Sequence, residues 1–161
     1  MIRANFKLRL GDLDIDFVEK LKSLFSKNNV IEINIGDEVD ETDYLLSTPA
    51  NRESIFRSLE QLKNRQLISK QINHLETWFT LTAEAWKDYL YWQNTDKNIL
   101  RKINDLLKDC LRDPFRGLGK PEPLKGKLMG FWSRRINNEH RLVYKYEGGE
   151  LFIISCRFHY E

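Results

Sequence analysis

Hydrophobic spacing divides the chain into short elements. Phe6-Lys-Leu-Arg-Leu10 alternates apolar and basic positions, the period of a strand. A helix is predicted from Asp14 or Asp16, with Phe17, Leu21, Leu24 and Phe25 on one stripe. Val30-Ile-Glu-Ile-Asn-Ile35 alternates again, so residues 1–36 are predicted as a small β-α-β unit. Thr48 is a good N-cap and Pro49 suits the first helical position. Ile55, Phe56, Leu59 and Leu62 then form a narrow apolar face. Residues 64–76 carry little pattern and are expected to be a connector, or an extension of that helix.

The rest of the chain is more strongly patterned. Trp78-Phe-Thr-Leu81 predicts a strand, and Thr82 caps a helix with Trp86, Tyr89 and Leu90 on its face. A second helix is predicted from Thr95 or Asp96. Ile99, Ile103, Leu106, Leu107 and Cys110 share one side of it, and Pro114 stops it. A Gly/Pro-rich loop follows. Three strands are predicted near 128–135, 140–146 and 150–157, the last two joined by Gly148-Gly149. The order β-α-α-β-β-β is an α+β plan: two helices on a twisted antiparallel sheet.

Composition narrows the class. The 161 residues are 41% hydrophobic and 31% charged, values ordinary for a soluble globular protein. No run approaches the roughly 18 apolar residues of a membrane span, and the N-terminus lacks a signal-peptide core, so a cytoplasmic protein is expected. Cys110 and Cys156 fall at apolar positions and are expected to be buried thiols; no Cys/His spacing suggests a metal site. Residues 1–76 hold 11 Lys/Arg against 13 Asp/Glu, whereas residues 77–161 hold 15 against 11. An acidic half and a basic half attract each other. The acidic stretch 37–43 reads most simply as a solvated linker. The helix after it, with its apolar lead-in Tyr44-Leu-Leu46, is suited either to a groove on another surface or to an N-terminal core.

Candidate chemistry gathers in the last forty residues. Cleaving an RNA phosphodiester without a metal uses the neighbouring 2′-OH as nucleophile. It needs a base for that hydroxyl, an acid for the departing 5′-oxygen and cations for the crowded phosphate. Glu122, stiffened between two prolines, is the candidate base. Histidine changes protonation near neutral pH, but spacing alone leaves His140 and His159 equally available as the acid. Arg141 is the leading cation; Lys125, Arg135 and Arg157 are further phosphate ligands, and Tyr160 is placed to stack on a base. Arg134 and Arg135 alternate in direction within a strand, so only one of them should face the site.

Five segments in order carry a resemblance: Trp86-Lys-Asp-Tyr-Leu-Tyr-Trp-Gln93, Lys120-Pro-Glu-Pro-Leu-Lys125, Gly130-Phe-Trp-Ser-Arg-Arg-Ile136, Glu139-His-Arg-Leu-Val-Tyr144 and Cys156-Arg-Phe-His-Tyr160. Residues 77–160 resemble a YoeB/Txe-type toxin of the RelE superfamily. That resemblance implies an endoribonuclease, without cofactor or metal, that cuts mRNA on the translating ribosome. It also implies a paired antitoxin. It assigns the base to Glu122, the arginine to Arg141 and the acid to His159, with Tyr160 beside it. Such toxins usually end at the tyrosine, whereas Glu161 follows here.

Glu41-Thr-Asp-Tyr-Leu-Leu-Ser-Thr-Pro-Ala-Asn51 and Ser58-Leu-Glu-Gln-Leu-Lys63 resemble the toxin-binding tail of a YefM-type antitoxin. Tyr44, Leu45, Leu46, Pro49, Ile55, Phe56 and Leu59 are the expected contacts. The expected organisation is therefore a 1–36 unit for dimerisation or operator DNA binding, an antitoxin-like segment at 37–63, a linker at 64–76 and a toxin-like domain at 77–161. Such a chain is expected to be a homo-oligomer whose ribonuclease is held inhibited by the segment, in cis or from another chain. The alternative is an antitoxin-like repressor or assembly protein with a catalytically silent toxin half.

Overall fold

A computed structural model of the chain describes residues 14–25, 40–71 and 78–160. The chain divides into two units, residues 1–37 and 38–161. In the first, the predicted helix is α1, Ile15–Leu24, with Asp14 as N-cap accepting from the Phe17 N–H. Leu21 is buried, but Leu24, expected on the same stripe, is exposed. The strands predicted at 6–10 and 30–35 lie outside the described residues, as do residues 37–39 and Glu161.

The second unit is built on one six-stranded sheet. Its elements are α2 (Glu41–Leu45), α3 (Pro49–Lys63), β1 (Leu67–Gln71), β2 (Trp78–Thr82), α4 (Ala83–Thr95) and α5 (Lys97–Arg112). They continue with β3 (Glu122–Pro123), a 3-10 turn (Gly126–Leu128), β4 (Trp132–Arg135), β5 (Arg141–Glu147) and β6 (Glu150–Ser155). The strand order is β1-β2-β6-β5-β4-β3. Neighbours are antiparallel except β2 and β6, which run parallel, so the antiparallel expectation holds for all other pairings.

Local signals explain most boundaries. Thr48, Thr82 and Asp96 cap α3, α4 and α5 through side-chain oxygens, and Pro49 opens α3. Asp96 both ends α4 and starts α5. Two expectations shift. The connector expected at 64–76 contains β1: Arg65 adopts φ 53°, the chain turns, and Leu67–Gln71 pairs with β2. With only Leu67 and Ile68 apolar, this edge strand is held by its backbone ladder rather than by a pattern. The strand expected from 128 begins only at Trp132, because Gly126 and Gly130 take positive φ and turn the chain.

Each face of the sheet carries its own core. On one, α4 and α5 bury Ala85, Tyr89, Trp92, Ile103, Leu106, Leu107 and Cys110 against Phe79, Leu142, Tyr144 and Ile153. Leu90, expected on this face of α4, is exposed, and the face is continued instead by Trp92, about one turn on from Tyr89. On the other face, Leu45 and Ile55, backed by Phe56, Leu59 and Leu62, pack on Leu124, Leu128, Val143 and Ile154. Successive strand residues therefore serve opposite cores, Leu142 and Tyr144 facing one and Val143 the other. Phe131 and Trp132 pack against these cores. Both thiols are buried, and burial pushes the Cys110 pKa up to about 11.

Candidate active site

Arg134 and Arg135 alternate as strand neighbours do. Arg134 is fully buried and is used structurally. Its guanidinium donates to Asp109 (2.6 Å), to the carbonyls of Asp113, Arg116 and Leu118, and to the Tyr144 hydroxyl. Asp109 also accepts from the Leu118 N–H (2.7 Å). Burial raises its pKa, but that N–H, Arg134 and Arg112 outweigh burial and hold the carboxyl below its ordinary value. These bonds set the loop that enters β3. At its close, Gly119 takes φ 76°, and a Cβ there would come within 2.9 Å of the Arg135 carbonyl. The loop therefore delivers Glu122 beside β4, opposite Ser133 in register.

Arg135 points the other way, towards Glu122 and Arg141. Its Nη2 lies 3.7 Å from the Glu122 carboxylate. Arg141 stands across the β4–β5 ladder from Arg135. Nη1 of Arg141 donates to the carbonyls of Asn137, Asn138 and His140, so the β4–β5 turn aims the guanidinium. Arg141 is nonetheless not open. Glu41 of α2 meets it with both oxygens, at 2.6 Å from Nε and 3.2 Å from Nη2. The same carboxylate lies 3.1 Å from Arg135 Nη2 and accepts from Ser133 Oγ at 3.3 Å. The Glu41 and Arg141 side chains are each only 7% exposed.

The rest of α2 covers neighbouring groups. Asp40 pairs with Lys125 Nζ at 2.6 Å, and this bond lowers the Asp40 pKa. Thr42 Oγ1 accepts from the Lys125 N–H at 2.8 Å. The Tyr44 ring lies 4.8 Å from the Arg141 guanidinium carbon and stacks on Phe158 at 4.7 Å, while its hydroxyl donates to the Glu139 carbonyl. Burial raises the Tyr44 pKa. Residues 40–42 are thus engaged rather than solvated. Of the expected segment contacts, Leu45, Leu46, Ile55, Phe56 and Leu59 pack on the sheet core. Pro49 is exposed and serves to start α3, so its expected contact role is corrected.

Beyond Ser155 the C-terminal run leaves the sheet. The segment holds its backbone: Thr48 Oγ1 donates to the His159 carbonyl (2.6 Å) and Asn51 Oδ1 accepts from the His159 N–H (3.0 Å). The His159 ring, 22% exposed, places Nε2 3.0 Å from Asp88 Oδ1. His140, equally available by spacing, is buried against Trp92 and accepts the Phe158 N–H on Nδ1. Burial lowers its pKa, disfavouring the charged ring. Tyr160 is exposed beside Phe158. Arg157 stacks on Tyr91 of α4, its guanidinium carbon 3.7 Å from the ring centroid.

Glu122, Arg135 and Arg141 are thus gathered by β3, β4 and β5, while His159, from the tail, is held by Asp88, Thr48 and Asn51. Sequence reading passed over Glu41, Asp40 and Asp88. The first two lie in the acidic run 37–43, and Glu41 also opens the antitoxin-like motif. Asp88 stood in view within the Trp86–Gln93 motif.

A family model for the YoeB-like toxin of bacterial type II toxin–antitoxin systems matches residues 81–160. Toxin YoeB of Escherichia coli (strain K12) is 64% identical over 79 residues, covering 49% of this chain and 94% of that protein. Toxin YoeB of Synechocystis is 60% identical over 80 residues, covering 50% and 93%. A solved YoeB–YefM complex from Staphylococcus aureus aligns at 47% identity and a TM-score of 0.49, covering 50% of this chain and 93% of that one. Residues 40–63, which cover the site, lie outside the match. Through residues 81–160, the chain belongs to the YoeB-like toxins of bacterial type II toxin–antitoxin systems.

Proposed function

We propose that residues 77–160 are a metal-free mRNA endoribonuclease acting at the translating ribosome, and that residues 37–63 are a YefM-like antitoxin segment that silences it in cis. The carrying observation is the Glu41 carboxylate, bound by Arg141 and Arg135 at ion-pair distances. A carboxylate with two oxygens shared between two guanidiniums is a fair likeness of a bound phosphate. Asp40 does the same to Lys125. The segment thus neutralises three cations this chemistry would use.

In the uncovered site, Glu122 takes the 2′-OH proton as the 2′-oxygen attacks phosphorus. Arg141 and Arg135 stabilise the charge gathering on the phosphate oxygens. His159 gives a proton to the leaving 5′-oxygen, and a 2′,3′-cyclic phosphate remains. Lys125 and Arg157 bind flanking phosphates, and Tyr160 stacks on a base. The compartment implied is the cytoplasm, where translating ribosomes are; among the described residues no helix is long and apolar enough to cross a membrane.

Breaking a buried ion pair by removing one partner costs about 3–5 kcal/mol. In full-length protein, Glu41→Gln should therefore raise mRNA cleavage on translating ribosomes by roughly 10²–10⁴-fold. Adding His159→Gln should lower that activity by roughly 10²–10⁴-fold, the range of a lost general acid. Equal, low cleavage by the intact chain, the Glu41→Gln protein and a chain starting near Thr77 would leave the repressor reading standing instead.

A further inference from the structure

The run after β6 has two sets of anchors. Thr48 and Asn51 belong to the covering segment and hold only the His159 backbone. The other set belongs to the toxin-like domain. Trp92 Nε1 donates to the Cys156 carbonyl at 2.9 Å, and His140 Nδ1 accepts the Phe158 N–H at 3.2 Å. Asp88, 3% exposed, has both carboxylate oxygens engaged. Its Oδ2 accepts from the Cys156 N–H (3.1 Å) and lies 3.2 Å from Ser155 Oγ, which fastens the end of β6. Its Oδ1 meets the His159 ring.

A carboxylate needed only to fasten the strand end would use one oxygen. The second is spent on the imidazole, from a helix that Thr82 caps and Trp92 ties down. Asp88 and Trp92 lie one turn apart on α4, so both hooks come from one face. If the covering segment leaves, the Thr48 and Asn51 bonds go with it, whereas the Asp88 contact is internal to the toxin-like domain.

We propose that Asp88 is a positioning residue for His159. Its carboxylate accepts the Nε2 proton of the ring and leaves Nδ1 as the nitrogen that hands its proton to the departing 5′-oxygen. This rests on the ribonuclease reading above. The proton balance closes: the 2′-OH proton goes to Glu122, the Nδ1 proton goes to the 5′-oxygen, and the ring ends neutral with Nε2–H still on Asp88. Holding a histidine in one tautomer through a buried carboxylate is the arrangement known from catalytic triads.

Two measurements test it. Histidine ¹⁵N NMR of the intact chain should show neutral His159 in the Nε2–H form. In Asp88→Asn the amide donates to the ring, and His159 should switch to Nδ1–H. In a Glu41→Gln background, Asp88→Asn should lower kcat for mRNA cleavage by about 10²-fold, with KM within about threefold. A neutral His159 in the Nδ1–H form in the intact chain would overturn the proposal, with no variant required. So would unchanged kcat in an Asp88→Asn protein whose near-UV circular dichroism is native. If the Glu41→Gln chain cleaves nothing, the ribonuclease reading fails, and the ¹⁵N pattern still decides whether Asp88 sets the tautomer.

Discussion

The two faces of the sheet are covered differently. α4 and α5 lie over one face with two full helices, buried aromatics, and polar hooks into the end of β6 from Asp88 and Trp92. α2 and α3 lie over the other with a narrow apolar stripe and, at one end, acidic side chains set against arginines. The first covering belongs to the matched family region; the second precedes it. A face that ends in paired charges is suited to being covered and uncovered, because the exposed arginines regain water or phosphate when the acids leave. A face closed by aromatics has no such second partner, and opening it means unfolding.

Comparable cavities on the two faces should therefore have different effects on activity. Ile55→Ala and Leu106→Ala each remove a fully buried side chain, at a cost of about 2–5 kcal/mol. Ile55→Ala should loosen the segment and raise ribosome-dependent cleavage. Leu106→Ala should lower the thermal midpoint without raising cleavage at any temperature. Matching responses in a paired melting and cleavage series would erase the distinction.

Thr48→Ala sharpens the same contrast at about 1 kcal/mol, the worth of an N-cap. It removes the α3 cap and the bond to the His159 carbonyl together. Faster amide hydrogen exchange in the first turn of α3 than in α4 is the expected readout.

Asp40→Asn should have the smallest effect, about 0.2–1 kcal/mol, because its partner Lys125 is largely exposed. Its sign with pH follows from the lowered Asp40 pKa. The pair favours the covered state above the free carboxyl value near 3.8, and that contribution is lost as pH falls through the lower value in the covered state. A cleavage series against salt at neutral pH should show the wild-type chain, but not Asp40→Asn, losing this part of its inhibition at high ionic strength.

Patterns of local origin could be read from the chain. The α5 stripe from Ile99 to Cys110 is a 3.6-residue repeat bounded by Asp96 and Pro114, and its helix lies where predicted. Thr48 and Pro49 mark the start of α3 to the residue. The opposed directions of Arg134 and Arg135 follow from strand alternation, which also told that only one could face Glu122. β1 was not legible, because a backbone ladder leaves no side-chain signature. Nor could spacing choose between His140 and His159 as the candidate acid; only the resemblance favours His159, and His140 is the more buried of the two.

The sequence by itself determined the caps, the amphipathic helices, the closing strands and the inventory of candidate base, acid and cations, since each depends on residues within a few turns of one another. Only the tertiary structure decided what those groups meet. Glu41 reaches Arg141 across 100 residues, and Asp88 reaches His159 across 71. Whether a carboxylate is a solvated charge, a lock or a positioning group depends on which partner the fold brings within 3 Å or so of it, and separation along the chain carries no record of that distance.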